Sequence, residues 1–143
     1  IINAFTIGEL PTLFSDWIDR HEVGGQTALW DDPDSDGIDS GVENYFGTAP
    51  DEFSQGLVST STNGGTYSFV HPQGTLAADL TATYRWSKDL EVFHADSTTD
   101  GDGTRVDFSV ELDTPVAGTT TVTATVSGTA ASALFVTVEV TQN

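Results

Sequence analysis

The spacing of hydrophobic positions changes part-way along the chain. Leu10, Leu13, Phe14, Trp17 and Ile18 recur at three- and four-residue steps, with Pro11 early in the run. That spacing predicts an amphipathic helix over about 11–20, whose apolar stripe needs a partner surface. Gly24-Gly25 ends it, and Thr27-Ala28-Leu29-Trp30 leads onward with Trp30 expected to pack beneath the next loop. After Ile38 the helical period returns through Val42, Tyr45 and Phe46. Gly47 stands where a helix closes on a left-handed residue, and Pro50 confirms the stop. Ahead of both helices, Ile1-Ile2-Asn3-Ala4-Phe5-Thr6-Ile7 alternates weakly and ends at Gly8, which predicts a short strand or extended arm.

From Gly56 onward the period is two. Strands are predicted at Leu57–Thr62, Thr66–Val70, Thr81–Ser87, Glu91–Ala95, Arg105–Leu112, Thr119–Ser127 and Leu134–Thr141. The clearest, Val106 to Leu112, is apolar on one face and acidic on the other. Turn signals separate the runs, among them Asn63-Gly64-Gly65, Asp100-Gly101-Asp102-Gly103 and Ser127-Gly128-Thr129. About seven short strands at this spacing predict a mainly β chain, an immunoglobulin-like antiparallel sandwich with a short helical segment ahead of it. The expected organisation is an arm over 1–8, a helical segment over 9–52 and a sandwich over 53–143, with 9–143 packing as one domain.

Composition narrows the function. The 143 residues are enough for one domain with a core of its own, and there is no cysteine to suggest disulfides or thiol chemistry. Twenty-two acidic residues face only Arg20, Arg85, Lys88 and Arg105, a net charge of −18. Such a surface repels nucleic acid and anionic membranes, and suits a calcium-rich, high-salt exterior. No apolar run approaches the ~20 residues needed to span a bilayer, so no membrane insertion is expected. The chain begins at Ile1, and the expectation is a mature or excised piece whose export signal lay upstream.

One stretch states its own chemistry. Asp32-Pro33-Asp34-Ser35-Asp36-Gly37-Ile38-Asp39-Ser40-Gly41-Val42-Glu43 places carboxylates at positions 1, 3, 5 and 12 of a twelve-residue loop, and glycine at position 6. In a calcium loop of that length Asp32, Asp34 and Asp36 give one oxygen each and the Ile38 carbonyl points inward. Ser40 acts directly or through water, and Glu43 closes the shell with both oxygens. No Lys or Arg lies between Arg20 and Arg85 to neutralise this group. The carboxylates would repel in a compact loop unless a cation joined them. Mg2+ prefers a tight octahedron that keeps several waters, so the donor set favours Ca2+. The apolar residue stands at position 7 rather than the position 8 of an EF-hand, which predicts a calcium loop without the paired EF-hand scaffold.

The order of these features resembles a calcium-loop plus β-sandwich module found at the C-terminal end of large exported proteins of Verrucomicrobia- and Planctomycetes-type bacteria. Its loop, Asp32 through Gly47, is similar to bacterial thrombospondin type 3 repeats, which typically have the form D-P-D-G-D-G-x-x-N-x-x-E-Y-x-x-G. Tyr84-Arg85-Trp86-Ser87-Lys88-Asp89-Leu90 looks like the module's Y-x-x-S-x-D-L strand, and Leu134 to Thr141 like its closing strand. Ser35, Ser40 and Ala49 depart from the usual Gly, Asn and Asp. The resemblance covers roughly residues 9–143 and implies an extracellular or cell-surface, non-catalytic appendage.

Other groupings are weaker. Asp96, Asp100 and Asp102 form either a second, weaker metal site or a polar hairpin turn, and the turn is favoured because no position-12 carboxylate follows in register. Acids are too abundant for a catalytic pair to stand out. His21, His71 and His94 are too scattered for a zinc cluster or a catalytic triad, and surface or turn positions are expected. Tyr84 and Trp86 share a strand face, as a polysaccharide-binding platform and a sandwich core both require, and core is favoured. Ile1, Ile2, Phe5 and Ile7 could add as a strand to a neighbouring copy and build a fibre. The sequence thus predicts a secreted, calcium-stabilised structural module without catalysis. Alternatives are a filament subunit or a carbohydrate-binding appendage of a polysaccharide-degrading enzyme, with copies of itself, other surface proteins or polysaccharide as partners.

Overall fold

A computed structural model describes residues 12–143. The Ile1–Ile7 arm, Leu10 and Pro11 lie outside the described residues. Among the described residues two short helices, α1 (Phe14–Ile18) and α2 (Ser40–Phe46), precede eight strands. These are β1 (Ser59–Asn63), β2 (Thr66–Pro72), β3 (Leu80–Ser87), β4 (His94–Ala95), β5 (Thr98–Thr99), β6 (Thr104–Leu112), β7 (Thr119–Gly128) and β8 (Phe135–Gln142). They form two antiparallel sheets, one in the order β1-β2-β7-β6-β5 and the other β4-β3-β8.

Alternation turns one face of each sheet inward. In β3 Leu80, Tyr84 and Trp86 are buried while Thr81 and Thr83 are exposed; in β7 Thr120, Val122 and Ala124 are buried. Trp86 packs on Val106 and Ala124 of the other sheet, and Tyr84 packs in one cluster with Val122. The core therefore lies between the sheets, the layering of a β-sandwich.

Three boundaries differ from the sequence pattern. The helix expected over about 11–20 is confined, within the described residues, to Phe14–Ile18, because Arg20 and His21 donate to the Trp17 and Ile18 carbonyls in tight turns of 3.1 Å. Its stripe still finds its surface: Phe14, Ile18 and Val23 pack on Ala77 and Leu80. The strand expected at Glu91–Ala95 shrinks to His94–Ala95. There Asp89 Oδ1 takes the amides of Glu91 (2.9 Å) and Val92 (3.0 Å), leaving neither for a ladder. Conversely, the two-residue β5 carries no recognisable pattern of its own and exists by pairing with Arg105 and Val106.

Helix α2 is clamped to the sandwich at its C-terminal end. Asn44 Oδ1 accepts the Ala77 amide at 2.8 Å, and the Tyr45 carbonyl accepts the Gly74 amide at 2.9 Å. Gly47 closes the helix at φ 79° and lies directly on Gly74. A Cβ added at Gly47 would fall 2.8 Å from the Gly74 Cα, and one at Gly74 would fall 2.5 Å from the Gly47 Cα. Beneath this contact sits a hydrogen-bonded string. The His71 Nδ1–H donates to the Pro72 carbonyl (2.7 Å), Nε2 meets the Tyr84 hydroxyl (2.7 Å), and the Tyr84 and Tyr45 hydroxyls are 2.8 Å apart. His71 is fully buried, correcting the expectation of a surface position, and burial holds its pKa below the ordinary value. Burial likewise pushes the Tyr84 phenol up.

Candidate metal centre

The loop from Asp31 to Ser40 wraps back on itself through its own side chains. Asp32 Oδ1 accepts the Asp36 amide (3.1 Å) and Oδ2 the Gly37 amide (3.0 Å), while Asp36 Oδ1 accepts the Ile38 amide (2.8 Å). Such turns are what short carboxylate side chains offer a backbone that cannot form a ladder. Two residues take positive φ, Ser35 at 61° and Gly37 at 90°. The second is the position at which the sharp turn of a calcium loop needs glycine.

Asp32, Asp34 and Asp36 each bring a carboxylate oxygen into one group whose members lie within 4.8 Å of one another, and among the described residues this is the one such cluster. Glu43, on α2, is not a member of that group, although the charges of Asp34, Asp36 and Asp32 act on it. Its side chain is 0 % exposed, and Oε2 has no hydrogen-bond partner. Oε1 receives only a long contact from the Thr48 hydroxyl, 3.3 Å. The Asp34 Oδ2 is buried and unpartnered as well. Burial first, then the charges of Asp34 and Asp36, push the Glu43 carboxyl up to about 8. Burial also raises Asp34. A buried carboxyl with one oxygen unpartnered is costly, and the charges of three further acids add repulsion. The donor set is all oxygen, which fits a hard cation and not a soft one.

Other predicted ligands are placed differently. The Ser40 hydroxyl donates to the Asp31 carbonyl at 3.0 Å, and the Ser40 amide to the same oxygen at 2.9 Å. Ser40 thus begins α2 with its hydroxyl already engaged. Trp30, expected beneath the loop, is 76 % exposed. Leu29 turns inward instead, because α2 approaches through Gly41, whose amide donates to the Leu29 carbonyl at 2.9 Å. A Cβ at Gly41 would fall 3.1 Å from the Leu29 side chain. One contact had no sequence signal: the Ser54 amide donates to Asp36 Oδ2 at 2.8 Å, tying the loop to a segment 18 residues on.

Asp96, Asp100 and Asp102 do not converge. Lys88 Nζ lies 2.6 Å from Asp100 Oδ2 and 3.0 Å from Asp102 Oδ2. Asp100 Oδ1 accepts the amides of Asp102 and Thr104, and Asp96 Oδ1 accepts that of Phe108 at 2.8 Å. This is a turn neutralised by an ammonium. Tyr84 and Trp86 are both in the core, with Trp86 Nε1 donating to the Ala95 carbonyl at 3.1 Å. The remaining histidines are apart: His21 contacts Asp51 at 3.1 Å, and His94 lies against Trp86. No helix among the described residues is long and apolar enough to cross a membrane.

Comparison with protein-family models, with curated proteins and with solved structures returned no match. The geometry of the loop therefore carries the functional argument by itself.

Proposed function

We propose that this chain is a non-catalytic, calcium-stabilised extracellular module in which one Ca2+ clasps the Asp32–Glu43 loop to the sandwich. The observation that carries the reading is Glu43: a fully buried carboxylate, half of it unpartnered, beside three Asp oxygens already drawn together. A divalent cation there would give the orphan oxygens of Glu43 and Asp34 a partner and offset the burial and the repulsion that raise Glu43. Asp32, Asp34, Asp36 and Glu43 would hold it, with the Ile38 carbonyl completing the shell and Ser40 contributing, if at all, through water. Because Glu43 sits on α2, and α2 is locked to Gly74 and Ala77, the ion would fix a junction rather than drive a movement. That favours a structural or surface role over sensing, and matches the exported-module resemblance of the sequence.

The strand order supports an immunoglobulin-like topology. β1-β2-β7-β6 opposite β3-β8 corresponds to the A-B-E-D and C-F strands of such a domain, with β4 beside β3 as an added edge. The test of the metal reading is thermal melting of the chain in EDTA and in millimolar Ca2+. A ligand that binds only the folded state raises the midpoint with its concentration. Superimposable curves would overturn the reading, and so would equal stabilisation of a chain carrying both Asp34→Ala and Glu43→Ala.

A further inference from the structure

We propose that Thr48 and Ser54 are positioning residues of the metal centre: residues 48–54 form an outer strap that holds Glu43 and Asp36 in place for the ion. The inference rests on the calcium reading above and adds to it the groups that set the affinity.

The strap begins where α2 closes. Gly47 turns the chain out of the helix at φ 79°, and the Glu43 carbonyl accepts two amides there, from Gly47 (2.8 Å) and Thr48 (3.1 Å). The Thr48 backbone is thus fixed to the residue at position 12 of the loop. Its β-branched side chain has few rotamers, so the hydroxyl reaches Glu43 as a placed donor. Oγ1 lies 3.3 Å from Glu43 Oε1, and among the described residues it is the one donor on that carboxyl. The contact divides the group, with Oε1 tied and Oε2 bare. Asp34 is divided in the same way, its Oδ1 accepting the Asp36 amide at 3.2 Å and its Oδ2 bare.

The far end of the strap acts on position 5. The Ser54 amide donates to Asp36 Oδ2 at 2.8 Å, while Oδ1 takes the Ile38 amide at 2.8 Å. Two amides from different segments fix the orientation of this carboxylate, and each oxygen keeps a lone pair for a cation. Between these two contacts the strap is itself anchored. Pro50 is fully buried, and the Glu52 amide donates to the Ala49 carbonyl at 3.2 Å to close a turn around it. Asp51 reaches the residues after α1, where Oδ2 accepts the Glu22 amide (2.9 Å) and Oδ1 meets His21 Nδ1 (3.1 Å). A strap held at its centre can place its two ends.

Donors fixed in this way favour the charged form of a carboxylate and remove its rotamer freedom in advance, so less ordering is lost on binding. Losing one such partner of a metal ligand costs roughly 10–100-fold in affinity.

Calcium titration of the full chain tests this, with Thr48→Val, Thr48→Ser, Ser54→Pro and Ser54→Ala beside the parent and a melting curve of each in EDTA. Thr48→Val keeps the branched shape and loses the hydroxyl, so its affinity should fall roughly 10–100-fold, and Thr48→Ser should restore most of it. Ser54→Pro removes the amide and should weaken binding by a similar factor, whereas Ser54→Ala keeps the amide and should bind like the parent. A strap that only packs would shift the EDTA melting curves and leave affinity alone. Parent affinity in both Thr48→Val and Ser54→Pro therefore overturns the proposal while the calcium reading stands. So does a loss in Thr48→Val that Thr48→Ser shares in full, and this pair decides the matter even where Ser54→Pro fails to fold. No saturable binding by the parent overturns both.

Discussion

Replacing Glu43 by Gln should change stability in opposite directions with and without calcium. Without metal, the side chain is fully buried, Oε2 is orphaned, and Asp34 and Asp36 lie close enough to raise the carboxyl to about 8. A carboxyl raised to about 8 must take up a proton for the metal-free chain to fold at neutral pH, a cost that Gln, of the same shape, does not bear. The unpartnered amide of Gln keeps the about 1–3 kcal/mol cost of a buried polar group, while the ionisable carboxyl carries more than that. The metal-free variant should therefore be more stable than the parent by about 1–3 kcal/mol. For a chain of this size each kcal/mol moves Tm by roughly 3 °C, a rise of about 3–9 °C. With calcium a thousandfold above its dissociation constant the parent gains about 4 kcal/mol, or roughly 12 °C. The variant offers one neutral oxygen where the parent offers two charged ones, so it gains far less and melts below the parent. The assay is a pair of melting curves for each protein, in EDTA and in millimolar Ca2+. A variant that melts lower by the same amount in both conditions would refute the reasoning, because Glu43 would then be serving packing alone.

Other expectations follow from single contacts. Gly74→Ala places a Cβ 2.5 Å from the Gly47 Cα, so it should cost at least the 1–3 kcal/mol typical of overpacking; chemical denaturation checks this, and a loss under about 0.5 kcal/mol would deny that α2 is clamped there. Trp86→Ala, at a fully buried site between the sheets, should cost about 3–5 kcal/mol in the same assay, and a near-neutral result would contradict the assigned core. His71 is neutral when folded because burial lowers its pKa, so the unfolded chain takes up the proton first as pH falls through about 6.5. Its contribution is complete above that pH and declines below it; the stability of His71→Gln should fall less steeply between about pH 6.5 and 5, and parallel slopes would count against this. Asp100→Asn should leave the calcium stoichiometry unchanged, since Lys88 and two amides already occupy that carboxylate; a lost site in a binding titration would show otherwise.

Where local chemistry was sufficient, the sequence was informative. The shared face of Tyr84 and Trp86 identified a core face that the sheets use, and Gly47 marked the end of α2 because a left-handed closing residue is a local requirement. The Asp32-Asp34-Asp36 spacing was legible for the same reason: a five-residue turn brings its own carboxylates together. What could not be seen were contacts between distant segments. Asp36 receives the Ser54 amide, Asp100 is taken by Lys88, and Leu29 displaces Trp30 from the interior because Gly41 admits a close approach. The first and third depend on how the helical segment docks, and the second on how the turns after β3 and β5 meet, which no periodicity encodes. The Ser40 hydroxyl illustrates the limit of motif spacing, since position 9 of the loop is also the first residue of α2 and turns to the Asp31 carbonyl.

The most direct test of the calcium clasp is a calorimetric titration of the metal-free chain with CaCl2, run beside Asp34→Ala and Glu43→Ala. The expected result is saturable binding of one Ca2+ per chain, abolished or strongly weakened in both variants, with Mg2+ competing poorly. An absence of saturable binding, or binding of equal strength in both variants, would contradict the assignment of the ion to Asp32, Asp34, Asp36 and Glu43.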